Sequence, residues 1–332
     1  MAVKLKQPQT FFFPLILIAP FFLWGTAMVA MKGVIPNTTP LFLAGMRILP
    51  AGLFVLIAGI IFQRPQPRGW LAWGWISLFA LVDGALFQGF LAEGLVRTGA
   101  GIGSVMIDTQ PLTVALLSSL LFGDRVRKIG WIGLVFGIFG VSLIGLPDEW
   151  IWQGLQGNFE SIKLSGSGLL ASGEWLMLLA SLSMAVGTIL IRYVCHHADA
   201  VMATGWHMIL GGIPLFVLSG MVETQQWQNI SFDGWMGISY ATIFGSAIAY
   251  GLFFYLASTR NLTSFAALTF LTPVFALLFG NLLLSEELSQ LQWTGVGLTL
   301  ISIYLINQRD RFGSVTSEKE VKMSQSVVTS KD

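Results

Sequence analysis

Four charged side chains sit inside stretches that are otherwise apolar, and chemistry is to be sought there first: Arg47, Asp83, Glu93 and Asp108. Charge at membrane depth costs a few kcal/mol on insertion scales, so each such residue is a functional candidate by default. At ~1.5 Å of rise per residue, Arg47, Asp108 and Asp83 lie about 10, 12 and 15 Å inside the outer ends of their runs. They share a level. The least costly arrangement points Arg47 at Asp83 or Asp108, because an unpaired buried charge neutralises itself or seeks water. One arginine formally satisfies one carboxylate, which leaves the other as a candidate for reversible protonation. The plainer alternative is that the pair only fixes helix register. Glu93 lies near the surface and reads as hydrated.

Uncharged polar residues at similar depth complete the set. Gln88 and Gln110 could bond a ligand or a neighbouring helix. On a regular α-helix Asp83 shares a face with Phe87, and Gln88 with Gly84, so Asp83 and Gln88 point apart. His207 changes charge near neutral pH, or it is a hydrogen bond between helices. Ser246 and Tyr250, one turn apart, bring hydroxyls to the cavity or to a packing interface. Trp24, Met28 and Lys32 share one helical face that ends in a cation. Pro111 and Pro273 remove an internal hydrogen bond from their helices and free a carbonyl for a kink or a ligand.

Other chemistries lack their residues. Cys195-His196-His197 are adjacent, diverge by about 100° on a helix and have no carboxylate cluster beside them, so no metal site is expected. Neither a phosphate-cradling glycine loop nor a nucleophile elbow is evident, which argues against catalysis, a cofactor or ATP use. Nucleic acid is not an expected partner, since no basic block occurs. One cysteine permits no disulfide within the chain.

The elements that must position these residues follow from composition. Of 332 residues, 54% are hydrophobic and 11% charged, whereas a soluble domain carries about 25% charged residues. Apolar runs near the roughly 20 residues that cross a hydrocarbon core recur at 11–32, 41–62, 71–92, 100–122, 129–147, 169–191, 202–222, 235–257, 264–284 and 292–307. They lack the alternation of barrel strands, and the predicted class is an all-α membrane protein of ten transmembrane helices in the lipid bilayer.

The chain also repeats itself. Pro111, Asp124, Trp131 and Gly133 recur 162 positions later as Pro273, Glu286, Trp293 and Gly295, while Lys32, Gly45, Arg47 and Gly52 recur 160 positions later as Arg192, Gly205, His207 and Gly212. Five helices per copy is an odd number, so the second copy is inverted relative to the first. This predicts two five-helix repeats, 11–147 and 169–307, an external connecting loop at 148–168 and a disordered cytoplasmic tail at 308–332. With both termini cytoplasmic, 14 of the 18 lysines and arginines fall on the inner side, as the positive-inside rule favours for a multi-pass protein of the cell membrane. Inverted repeats commonly mark secondary transporters with the substrate site between the halves.

Leu23-Trp24-Gly25, Arg47, Gly94-Leu95-Val96-Arg97-Thr98 and the two Pro, Gly-Asp or Ser-Glu, Trp-x-Gly blocks resemble the EamA-type transporters of the drug/metabolite transporter superfamily over about residues 15–307. The resemblance implies a ten-helix exporter or permease of small metabolites, amino acids or related compounds. Trp24 gains weight as a cavity residue from the family's Trp-Gly pattern. The functional expectation is a small-solute exporter working by alternating access, with a proton as a candidate coupling ion and a homodimer as a candidate assembly. A ligand-binding sensor or scaffold is the rival reading.

Overall fold

The computed structural model describes residues 13–31, 33–97, 106–123, 128–157, 173–284 and 288–306. All regular structure among them is helical: α1 Phe13–Met31, α2 Pro40–Ile61, α3 Gly69–Arg97, α4 Gln110–Phe122, α5 Lys128–Gly145, α6 Asp148–Leu155, α7 Gly173–Val194, α8 Ala200–Val222, α9 Phe232–Thr259, α10 Leu262–Leu283 and α11 Gln290–Ile306. Eight of these are long and apolar enough to span a bilayer, and α4 and α11 are shorter apolar helices. Large apolar side chains face outward, Leu120 being 72% and Leu282 71% exposed. Such a surface suits lipid, where it needs no covering. Lys32, Asp124, Glu286 and the segment 308–332 lie outside the described residues.

Three expectations change. The fourth run is not continuous through its described part: α4 begins at Gln110, behind a turn at Asp108 and Thr109. Its counterpart α10 is interrupted by a 3-10 stretch at Ala267–Phe270. Pro111 and Pro273 therefore sit in the first turn of a restarted helix rather than in its interior. First-turn amides have no intrahelical acceptor, so the prolines remove no hydrogen bond there. The connecting segment 148–168 is not all loop, since its start forms the short helix α6 with Trp152 half exposed.

Small residues let α1 to α5 and α7 to α11 interlock. A Cβ on Gly52 would meet Ile209, and one on Gly212 would meet Leu49. Each contact is the other's counterpart at the 160-residue offset. Likewise Gly133 abuts Ile306 while Gly295 abuts Ile144. The ends of α2 and α8 are tied too. Glu223, just past α8, accepts from the Thr39 hydroxyl and the Leu41 and Phe42 amides at 2.8, 2.8 and 3.0 Å, satisfying orphan donors at the start of α2. At the other end Arg64 reaches Asp199, the N-cap of α8, at 3.4 Å.

A close approach of two backbones joins α3 to α8. A Cβ on Gly84 would stand 2.7 Å from the His207 carbonyl and 2.9 Å from the Gly211 Cα. Backbone cannot retreat as a flexible side chain can. Gly84→Val should push α3 off α8 and destabilise the protein by about 1–3 kcal/mol, read as a lower thermal midpoint in detergent. An unchanged midpoint would show that the approach is looser than the backbone spacing implies.

Candidate functional site

α3 and α9 both change pitch halfway along. Ala80–Phe87 and Ile243–Ile248 are π-helical, and the second segment lies 162 residues beyond 81–86. Wider turns, with hydrogen bonds from i to i+5, change which residues share a face. Residues five apart now align. Asp83 and Gln88 were expected to diverge on a regular helix, and the π segment instead turns both toward the second half of the chain.

Asp83 meets His207 there, Oδ2 to Nε2 at 3.2 Å, with both side chains almost fully buried. This corrects the expected pairing of Arg47 with Asp83 or Asp108. Among the described residues no carboxylate lies within ion-pair distance of Arg47, whose Nη1 reaches only the Met31 sulfur at 3.8 Å. The reason is that depth was compared within the first half, whereas the Gly84–Gly211 approach brings α8 of the second half nearer to Asp83 than α2 is. His207 is clamped by Phe79, stacked at 4.0 Å, and by the edge of Phe254 at 5.3 Å. Gly187 on α7 closes the other side, because a Cβ there would overlap Asp83 Oδ1.

The hydrogen bonds define what the pair can do. His207 Nδ1 lies 2.6 Å from the Thr204 carbonyl, which only accepts, so Nδ1 carries a hydrogen. A contact between Nε2 and Oδ2 then holds only with one further proton between them, whether as carboxylic acid and imidazole or as carboxylate and imidazolium. The pair is a neutral unit with a single dissociable proton.

A second contact crosses the same plane. Gln88 donates to the Tyr250 hydroxyl at 2.8 Å, and these residues are counterparts at the 162-residue offset. Tyr250 is within electrostatic reach of both Asp83 and Arg47. The Trp24 ring meets Tyr250 edge-on at 5.1 Å and Phe253 at 5.0 Å, and its indole N–H is buried without an acceptor among the described residues. Trp24 thus turns into the bundle, while Met28 on the same face is 46% exposed, so the expected continuous stripe is broken.

Not every candidate joins this layer. Gln110 spans α4, α7 and α10, donating to Thr188 at 3.2 Å and accepting from Thr269 at 3.5 Å, which is helix-to-helix packing. Asp108 is buried in the turn before α4, and no ionic or hydrogen-bond contact joins it to Arg47 or Asp83. Glu93 pairs with Arg97 at the surface, 2.7 Å away. The Ser246 hydroxyl is buried without a partner among the described residues. Among those residues there is also no cluster of three metal-binding side chains. Sequence reasoning missed Gly187, Thr204 and Phe254 around His207. Only the glycine content of α7 and α8 hinted that a neighbour must come close.

Comparison with known proteins places this geometry. The model of the EamA-like transporter family matches residues 12–146 and again 171–308. The chain belongs to the EamA-like transporter family. An uncharacterized transporter of Synechocystis sp. is 64% identical over 90% of both chains. A chloroplastic WAT1-related protein of Arabidopsis thaliana is 48% identical over 88% of this chain and 68% of its own length. A crystal structure with 15% identity superposes with a TM-score of 0.70 over 90% of this chain and 96% of the other, a likeness of fold alone. This EamA-like protein is a multi-pass membrane transporter of the drug/metabolite transporter superfamily.

Proposed function

We propose that this protein is a secondary transporter that exports a small metabolite across the cell membrane by alternating access, with both termini cytoplasmic and a proton as the counter-ion. Its architecture is read as ten spans in two inverted five-helix repeats, 11–147 and 169–307. The reciprocal glycine contacts support that reading, because a contact and its exchanged copy arise when two like units meet about a two-fold axis. Amino acids and related compounds form the first set of candidate solutes, and Trp24, Arg47, Asp83, Gln88, His207 and Tyr250 the residues that handle solute and proton. Gln110, Pro111 and Pro273 belong to the helix breaks that shape the cavity, and Asp108 is the second candidate carboxylate.

The observation that carries this reading is the polar layer in mid-bundle, where Asp83–His207 and Gln88–Tyr250 each join the first half of the chain to the second. A layer that bridges the halves senses their relative motion, which a layer within one half does not. Energetically, a pair holding one proton couples to a solute when binding of either changes affinity for the other. Purified protein in liposomes should move members of a panel of amino acids and related metabolites, faster with a pH gradient than without. No flux for any member under any gradient, with binding intact and no change in reactivity of cysteines placed at the two ends, would make it a sensor or scaffold instead.

A further inference from the structure

Where the ends of α1, α2 and α3 meet, a pocket of about 50 Å³ opens between the helices. Its walls are mainly apolar, with Met31, Leu43, Leu91 and Leu95, and it ends on Arg47 and Gln88. Arg47 has a buried Nε without a partner, and its only bond among the described residues is the long contact to the Met31 sulfur. Behind Gln88, the Tyr250 oxygen accepts the Gln88 amide, which leaves the phenol's own hydrogen to be donated elsewhere. Beside Tyr250 is the buried indole N–H of Trp24, without an acceptor among the described residues. Arg47 and Gln88 are thus the groups that meet the pocket itself, with Tyr250 and Trp24 packed behind Gln88.

A counter-charge is what the place lacks. Among the described residues no Asp or Glu lines the pocket. Glu223 is tied to the start of α2, Glu93 to Arg97, and Asp83 Oδ2 to His207. Leaving buried donors unsatisfied, one of them a cation, is unfavourable, and it persists where a ligand supplies the missing acceptor. A carboxylate fits best, because its two oxygens match the guanidinium fork and supply the missing counter-charge. An ammonium in the same place would meet the like charge of Arg47.

We propose that the pocket takes a small organic monoanion, its carboxylate head on Arg47 and its apolar tail along Met31, Leu43, Leu91 and Leu95. The inference rests on the transporter reading and narrows it, since a free carboxylic acid anion is favoured over the zwitterion of an amino acid, whose ammonium finds no carboxylate there and is repelled by Arg47.

A matched set of probes tests this: isocaproate, isocaproamide, isoamylamine and leucine, which share one branched tail and differ in the head. Thermal shift and calorimetry on the full chain in detergent should show binding of isocaproate above all others. Arg47→Gln should weaken it by about tenfold or more, a loss of about 1.4 kcal/mol, with Arg47→Lys recovering part. Leu95→Trp, which narrows the pocket from its partly exposed wall, should weaken it several-fold and carries the test if Arg47→Gln does not fold. Equal binding of the amide or amine, tighter binding of leucine, or wild-type affinity in Leu95→Trp overturns the proposal. Anion-selective binding without flux in liposomes would instead overturn the transport reading alone.

Discussion

Asp83→Asn should abolish accumulation driven by a pH gradient while solute exchange continues near the wild-type rate. The substitution is nearly isosteric, and the asparagine amide can donate to Nε2 of neutral His207, so the contact at 3.2 Å survives. What disappears is the dissociable proton. Exchange needs no net proton movement, whereas coupled uptake does, and linkage of this kind is worth roughly 5–150-fold. Counterflow and pH-driven uptake, measured side by side for Asp83→Asn and Asp108→Asn, decide the matter. Loss of coupling in Asp108→Asn alone would move the proton to the turn before α4, and full coupling in both would make the two carboxylates structural.

Arg47→Met should act in opposite directions on stability and on function. Had Arg47 been paired with a carboxylate, its removal would strand the partner and cost several kcal/mol. Instead Arg47 lies partly buried with no described counter-charge, and methionine fills a similar volume without a charge to desolvate. The thermal midpoint in detergent should therefore rise by a few degrees, corresponding to roughly 1 kcal/mol, while solute flux falls to background. Such a trade is typical where a strained or unsatisfied group is kept for binding. A lower midpoint would indicate a carboxylate partner for Arg47, and unchanged flux would remove Arg47 from the site.

Much of this protein was legible in its residues. Apolar runs of spanning length needed only composition, because a bilayer tolerates little else, and eight of ten emerge as long helices. The recurrence of Pro111, Trp131 and Gly133 as Pro273, Trp293 and Gly295 pointed to duplication, and the family model matches twice. Burial was legible as well. Asp83, Gln88, Asp108, Gln110, His207 and Tyr250 are all buried, as polar groups within apolar helices of a bundle tend to be.

Partnership was decided by the tertiary structure. A helical wheel assumes one pitch, so it separated Asp83 from Gln88, and a π segment whose hydrogen-bond ladder sequence does not reveal brought them round. Depth along a helix ranks residues within one half, so it matched Arg47 with the carboxylates near it in the chain. Which helices touch depends on where backbones approach most closely, and the Gly84–Gly211 contact, 127 residues apart in the chain, set α8 against α3. From that one approach came the Asp83–His207 pair, and with it an Arg47 that has no carboxylate partner among the described residues.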